Sequence, residues 1–127
     1  MKWLNRDLIV GPFLTLVLSE KECRKAFRHC KLPKDKWGPW IKSDHADAAM
    51  HWLDNPNGNL VCIVAVRVRP GISGIQAASL LVHEAVHIWQ EFRRRIGEEN
   101  PSAEFEAYAI QSISQRLMEA YAERYMP

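Results

Sequence analysis

Residues 83–87 read His83-Glu84-Ala85-Val86-His87, and on a helix this spacing has a chemical meaning. Residues four apart lie on one helix face, one turn above the other, so both imidazoles can address a single metal ion. Glu84 is rotated by about 100° from His83, which sets its carboxylate beside the ion instead of on it. A carboxylate there can take a proton from an activated water and pass it to a leaving amine. Zinc suits these donors and lowers the pKa of its water toward neutrality, so the HExxH spacing carries more than two histidines and a glutamate nearby. The neighbours Leu80-Leu81-Val82, Ala85-Val86 and Ile88-Trp89 predict a helix buried nearly all round. A neutral imidazole pair in such a place needs partners for its nitrogens, and a metal supplies them.

A catalytic zinc usually takes three protein ligands and keeps one position open. His29, His45 and His51 are candidates, but all lie upstream, and no third histidine follows closely. The next predicted helix instead carries Ser102-Ala103-Glu104-Phe105-Glu106-Ala107-Tyr108-Ala109. The pattern of His83-Glu84-x-x-His87 followed by Glu104-Phe105-x-Ala107-Tyr108-Ala109 resembles the gluzincin branch of the zincin metallopeptidases. It is similar to the Glu-aromatic-x-Ala-Asp form of CAAX-prenyl-type peptidases and to the Glu-x-Glu-Ala-Asn form of the ImmA/IrrE-like peptidases of mobile elements. The resemblance covers residues 79–110 and implies a third zinc ligand early on the helix after the active-site helix. Glu104 matches that ligand and Ala107 the small packing residue. Tyr108 stands where those families carry Asp or Asn, so a tyrosine hydroxyl would have to replace the usual supporting hydrogen bond. The resemblance also hints at a phage or mobile-element protein that cuts one partner protein.

Helix geometry leaves two glutamates in play. Glu104, Tyr108, Gln111 and Gln115 share one polar face, and His83, His87, Gln90 and Arg94 form another on the preceding helix. Two polar stripes facing each other would make a cleft, which favours Glu104. Glu106 instead shares the stripe of Ile110, Ile113 and Leu117, and a buried carboxylate also needs a partner such as zinc. If the first helix runs to Arg95, Glu104 sits low relative to His87 in an antiparallel pair. The sequence reading takes Glu104 as the ligand and Glu106 as the alternative.

These residues need elements to hold them. Phe13-Leu14-Thr15-Leu16-Val17-Leu18 predicts a buried strand. The longer apolar run from Leu8 has the length of a signal segment, but Asp7 before it, Gly11-Pro12 within it and the lack of a small-residue cleavage site read against one. Ser19-Glu20-Lys21-Glu22 predicts a capping box, and Cys23, Ala26, Phe27 and Cys30 the apolar stripe of the helix it opens. Residues 32–44, with Pro33, Trp37, Pro39 and Trp40, predict an irregular segment whose tryptophans cover a core edge. Residues 47–54 and 59–69 predict two strands joined through Asn55-Pro56-Asn57-Gly58, where Asn57-Gly58 is a hairpin signal. His51 on the first strand could reach the cleft, although a strand histidine with no chemical part is the simpler expectation. A helix is predicted from Ser73 to Arg95, ended by Gly97. Arg93-Arg94-Arg95 at its end complement the helix dipole. A last helix is predicted to about Tyr125, with Asn100 as N-cap and Pro101 at its first position.

Composition sets the bounds. A chain of 127 residues suits one domain spanning 1–127. With 47% apolar and 25% charged residues the chain is an ordinary globular one. A net charge of +2 is too small to point to nucleic acid or an anionic membrane as partner, and no segment reaches membrane-span length. Three cysteines, Cys23, Cys30 and Cys62, form no disulfide framework, which fits a cytoplasmic protein. The expectation is an α+β, minimal zincin-like domain, with a small antiparallel or mixed sheet packed on an active-site helix and a C-terminal ligand-bearing helix. Its expected function is zinc-dependent hydrolysis of a peptide or protein substrate, with Zn2+ on His83, His87 and Glu104 and with Glu84 as general base. The alternative is a non-catalytic zincin-fold module that acts by binding another protein.

Overall fold

The structure is a computed structural model, and residues 11–54 and 60–125 are described. Seven elements follow in order: β1 (Phe13–Val17), α1 (Glu20–His29), a short 3-10 turn (Lys34–Lys36), β2 (Ala48–Asp54), β3 (Leu60–Val66), α2 (Gly74–Arg95) and α3 (Ala103–Tyr125). Three helices and a three-stranded mixed sheet make this an α+β fold. The strand order is β1-β3-β2. β3 runs parallel to β1, with Thr15 opposite Ile63, and antiparallel to β2, with His51 opposite Ile63 on the other side. The Asn57-Gly58 turn lies outside the described residues, but the antiparallel pairing it was expected to join is present.

The central strand explains the layering. β3 is a run of apolar residues, Leu60-Val61-Cys62-Ile63-Val64-Ala65-Val66, and a strand points alternate side chains to opposite faces. It is therefore covered on both. Cys62, Val64 and Val66 meet Leu81, Ala85, Ile88, Trp89 and Phe92 of α2 and Ile113 and Leu117 of α3. Ile63 and Ala65 meet Val17, Ile41, and Cys23 and Phe27 of α1. Trp37 and Trp40 close this second cluster at its margin, as expected for the irregular segment, and the Trp37 indole donates to the Leu32 carbonyl at 2.8 Å.

The helix ends follow side-chain chemistry. Ser19 caps α1 by accepting from the Glu22 N–H, while the Glu22 carboxylate takes the Leu18 N–H instead of completing the box with Ser19. Ser73 and Gln76 form a complete capping box at the start of α2. At its end Gly97 takes φ +75°, the Glu98 N–H bonds the Arg93 carbonyl and the Gly97 N–H bonds the Arg94 carbonyl, a Schellman closure. Arg93 also donates to the carbonyls of Glu98 and Glu99. The start of α3 differs from expectation. Its cap is Ser102, which accepts from the Phe105 N–H, and the helix begins at Ala103, not at Pro101. Asn100 and Pro101 belong to the connection, since a serine hydroxyl two residues on supplies the cap that Asn100 was expected to give.

Candidate metal centre

α2 shows why its histidines sit together. Ala77, Leu81, Glu84, Ala85, Ile88, Trp89 and Phe92 are its buried residues. They trace one side of the helix, turned to the sheet and to α3. His83, His87 and Gln90 are exposed, and Val82 beside them is 37% exposed. The expectation of a helix buried nearly all round is corrected here. α2 is an outer-layer helix, covered below by the sheet and on one flank by α3, so one face stays open. The histidines are therefore not satisfied core residues, and a metal entering this face would meet them at the surface.

The two imidazoles converge. Their Nε2 atoms lie 3.2 Å apart, with ring centroids at 4.7 Å and planes at 78°. Two imidazole nitrogens, each about 2.05 Å from a tetrahedral zinc, stand about 3.3 Å apart, so the pair already has the span of a chelating pair. Nδ1 of His87 donates to Gln90 Oε1 at 3.0 Å. In a neutral ring this leaves Nε2 as the lone-pair atom, and a partner on the far nitrogen is what orients a ligating histidine.

Glu84 lies on the adjoining flank. It is 7% exposed, and burial pushes its carboxyl above the ordinary value of 4.5, while the charges of nearby His83 and His87 pull the other way. Glu84, Glu91 and Arg95, seven and four residues apart, fall on one side of the helix. Arg95 shows what that side faces. Its guanidinium lies 5.2 Å from the centre of the Trp52 ring and 3.9 Å from Asp54, both on β2, and it bonds Glu91 at 3.0 Å. At the level of Arg95 this flank thus looks toward β2, an edge strand of the sheet.

The structure does not bring either downstream glutamate to the imidazoles. Glu106 Oε2 accepts from the Trp89 indole N–H at 2.8 Å, and Phe105 packs on the same indole at 5.5 Å. Trp89 is two residues from His87, or about 200° round the helix, so Glu106 is held on the opposite flank. Glu104 is exposed in the first turn of α3, beyond the level of His87. Among the described residues no three His, Cys, Asp or Glu side chains form a group able to hold a metal. Tyr108 is 66% exposed.

The upstream histidines are elsewhere. His51 is on the α1 face of the sheet, where its Nε2–H donates to the Trp40 carbonyl at 2.9 Å and its ring meets Phe27 edge-on at 5.1 Å. The sheet separates it from α2, so it does not reach the site. His29 ends α1 and His45 lies in the exposed segment before β2. The Trp89–Glu106 bond is the feature that sequence reasoning missed. Its signal was present, because a buried indole N–H takes an acceptor. Comparison with protein-family models, with curated proteins and with solved structures finds no match for this chain.

Proposed function

We propose that the protein is a zinc-dependent metallopeptidase of zincin-like, gluzincin type, in which His83 and His87 hold the metal and Glu84 moves the proton. The observation that carries this reading is the convergence of the two Nε2 atoms at 3.2 Å, with the buried Glu84 carboxylate on the adjoining flank of the same helix. Zinc, when bound, supplies a Lewis acid and makes a water nucleophilic near neutral pH. Glu84 accepts the proton of the attacking water and hands it to the departing amine nitrogen. Gln90 holds the His87 ring in register through Nδ1. β2 is an edge strand of the sheet, and an extended peptide substrate can pair with such an edge.

Glu104 is the third ligand in this reading. Its carboxylate is exposed, whereas that of Glu106 is occupied by the Trp89 indole. Ligation by Glu104 requires the first turn of α3 to shift toward His87. A second reading, a non-catalytic module that binds another protein, is favoured by the pairing of two donors without a third. One experiment separates them. Purified protein is analysed for zinc by elemental analysis and incubated with an unstructured protein, with new amino termini read by mass spectrometry. The peptidase reading expects one zinc per chain and cleavage. Absence of cleavage, with zinc or without it, leaves the binding module, and a chain that takes up no zinc sinks the peptidase reading.

A further inference from the structure

β1 is the other edge of the sheet, and among the described residues it pairs only with β3. A groove of about 690 Å3 follows its open side. All five β1 residues line it, together with Lys25 and His29 of α1 and Arg124 of α3. Five strand residues span about 17 Å, so the groove has the length and form of a missing strand between two helices. Natural edges are commonly blunted by charge or proline. β1 reads Phe-Leu-Thr-Leu-Val and carries neither, and Phe13 is 54% exposed.

The two walls differ chemically. Val17 packs toward α1, and Leu14 and Leu16 pack toward α3. A strand added to this edge would alternate its side chains between the same two sides. On the α1 side it meets Lys25 and His29. The one carboxylate there, Glu22, is held by Arg124 at 2.7 Å and by the Leu18 N–H. On the α3 side an adjoining hollow of about 340 Å3 is lined by Leu14, Leu16, Leu117 and Ala120 together with Arg116, Glu119 and Glu123. A second copy of the chain fits poorly, because antiparallel β1–β1 pairing would set Lys25 and His29 of both copies on the same side of the joined sheet.

We propose that the edge of β1 left open among the described residues docks an extended segment of another protein in which acidic and apolar residues alternate, the acidic side chains against Lys25 and His29 and the apolar ones against the leucines of the α3 hollow. The groove lies along β1, whereas His83 and His87 lie on the exposed face of α2, so docking here does not depend on the peptidase reading.

Fluorescence anisotropy with the full chain tests it. The probe is a labelled ten-residue peptide of alternating Glu and Val, compared with its Lys–Val counterpart and with versions N-methylated at every second residue. The expected result is saturable binding of the Glu–Val peptide, about tenfold weaker binding of the Lys–Val peptide, and loss of binding on N-methylation in one of the two registers. Lys25→Glu combined with His29→Glu, both exposed positions, should reverse the preference between the two peptides, while His83→Ala leaves it unchanged. Absence of Glu–Val binding, equal binding of both peptides, or indifference to N-methylation in both registers overturns the proposal. So does a dimer in sedimentation that excludes the peptide.

Discussion

In the peptidase reading, a substitution of Glu84 separates chemistry from metal binding. In Glu84→Gln the amide keeps the shape of the side chain but cannot accept the proton, so zinc content should stay at the parental level while cleavage falls by about 100-fold or more. His83→Ala removes one of the two converging Nε2 donors and should lose both zinc and cleavage. Glu104→Ala tests the third ligand and should weaken zinc binding, whereas Glu106→Ala should cost stability through Trp89 and leave zinc in place. The reverse pattern would move the assignment to Glu106. The cysteines give a readout that does not involve the metal. Burial pushes the Cys23 thiol up to about 11 and the Cys62 thiol up to about 12, and both are fully buried. Cys30 is half-buried at the end of α1. Native alkylation at pH 8 should therefore mark Cys30 first, and the other two only on unfolding. Mass spectrometry that finds Cys62 modified in the folded chain would contradict the packing of β3.

Among the elements, α2 carries the site and its two ends hold it in place. Gly97 closes it at φ +75°, a conformation that costs a residue with a Cβ about 1 kcal/mol. A Cβ there meets nothing within 4 Å, so the penalty is one of backbone alone. Gly97→Ala should lower the unfolding free energy from urea titration by that amount and leave zinc binding intact. At the other end Ser73→Ala removes the capping hydroxyl at a cost of about 1 kcal/mol. The link from α2 to α3 is the Trp89–Glu106 bond with Phe105 packed beside it. Trp89→Phe keeps an aromatic ring in the core but strands the Glu106 carboxylate. The chain should lose about 1–3 kcal/mol, read as a lower melting temperature.

Across the whole molecule one ion pair ties the first helix to the last. Arg124 Nη1 donates to both oxygens of Glu22 at 2.7 Å, 102 residues apart in sequence. Partial burial works to raise the Glu22 carboxyl. The hydrogen bonds from Arg124 and the Leu18 N–H, with the charges of Arg124 and Lys25, outweigh it and hold the group below its ordinary 4.5. A carboxyl lowered in the folded state binds fewer protons there than in the unfolded chain. Its stabilisation is present above pH 4.5 and is lost as pH falls through the folded value. The pair is more than a third exposed, so screening limits it to about 0.5–1 kcal/mol. Glu22→Gln should therefore lower stability by that amount at pH 7 and by progressively less as the pH falls below 4.5 and through the lowered folded value, measured by denaturant titration across that range. No helix among the described residues is long and apolar enough to cross a membrane.

Local pattern and tertiary packing each decided a part. The apolar alternation of β3, the stripe of α1, the Ser73 cap and the Gly97 stop were legible because periodicity and capping are set by residues within a few positions of one another. The same locality placed His83 and His87 on one helix face and turned Glu84 to their side. What the spacing could not state was which face of α2 would be covered. The apolar residues around the motif read as burial on every side, yet the outer layer of a three-layer packing leaves one face open. Nor could it state where the next helix would dock. Glu104 and Glu106 differ by two positions, and their fates depend on how α3 lies against α2. That placement was decided by Trp89, whose indole N–H took Glu106 as its acceptor and held it on the flank away from the histidines. The shared face of His83 and His87 and the neighbouring position of Glu84 were thus determined by sequence alone, and the surroundings of that pair by long-range packing, which no short window of sequence encodes.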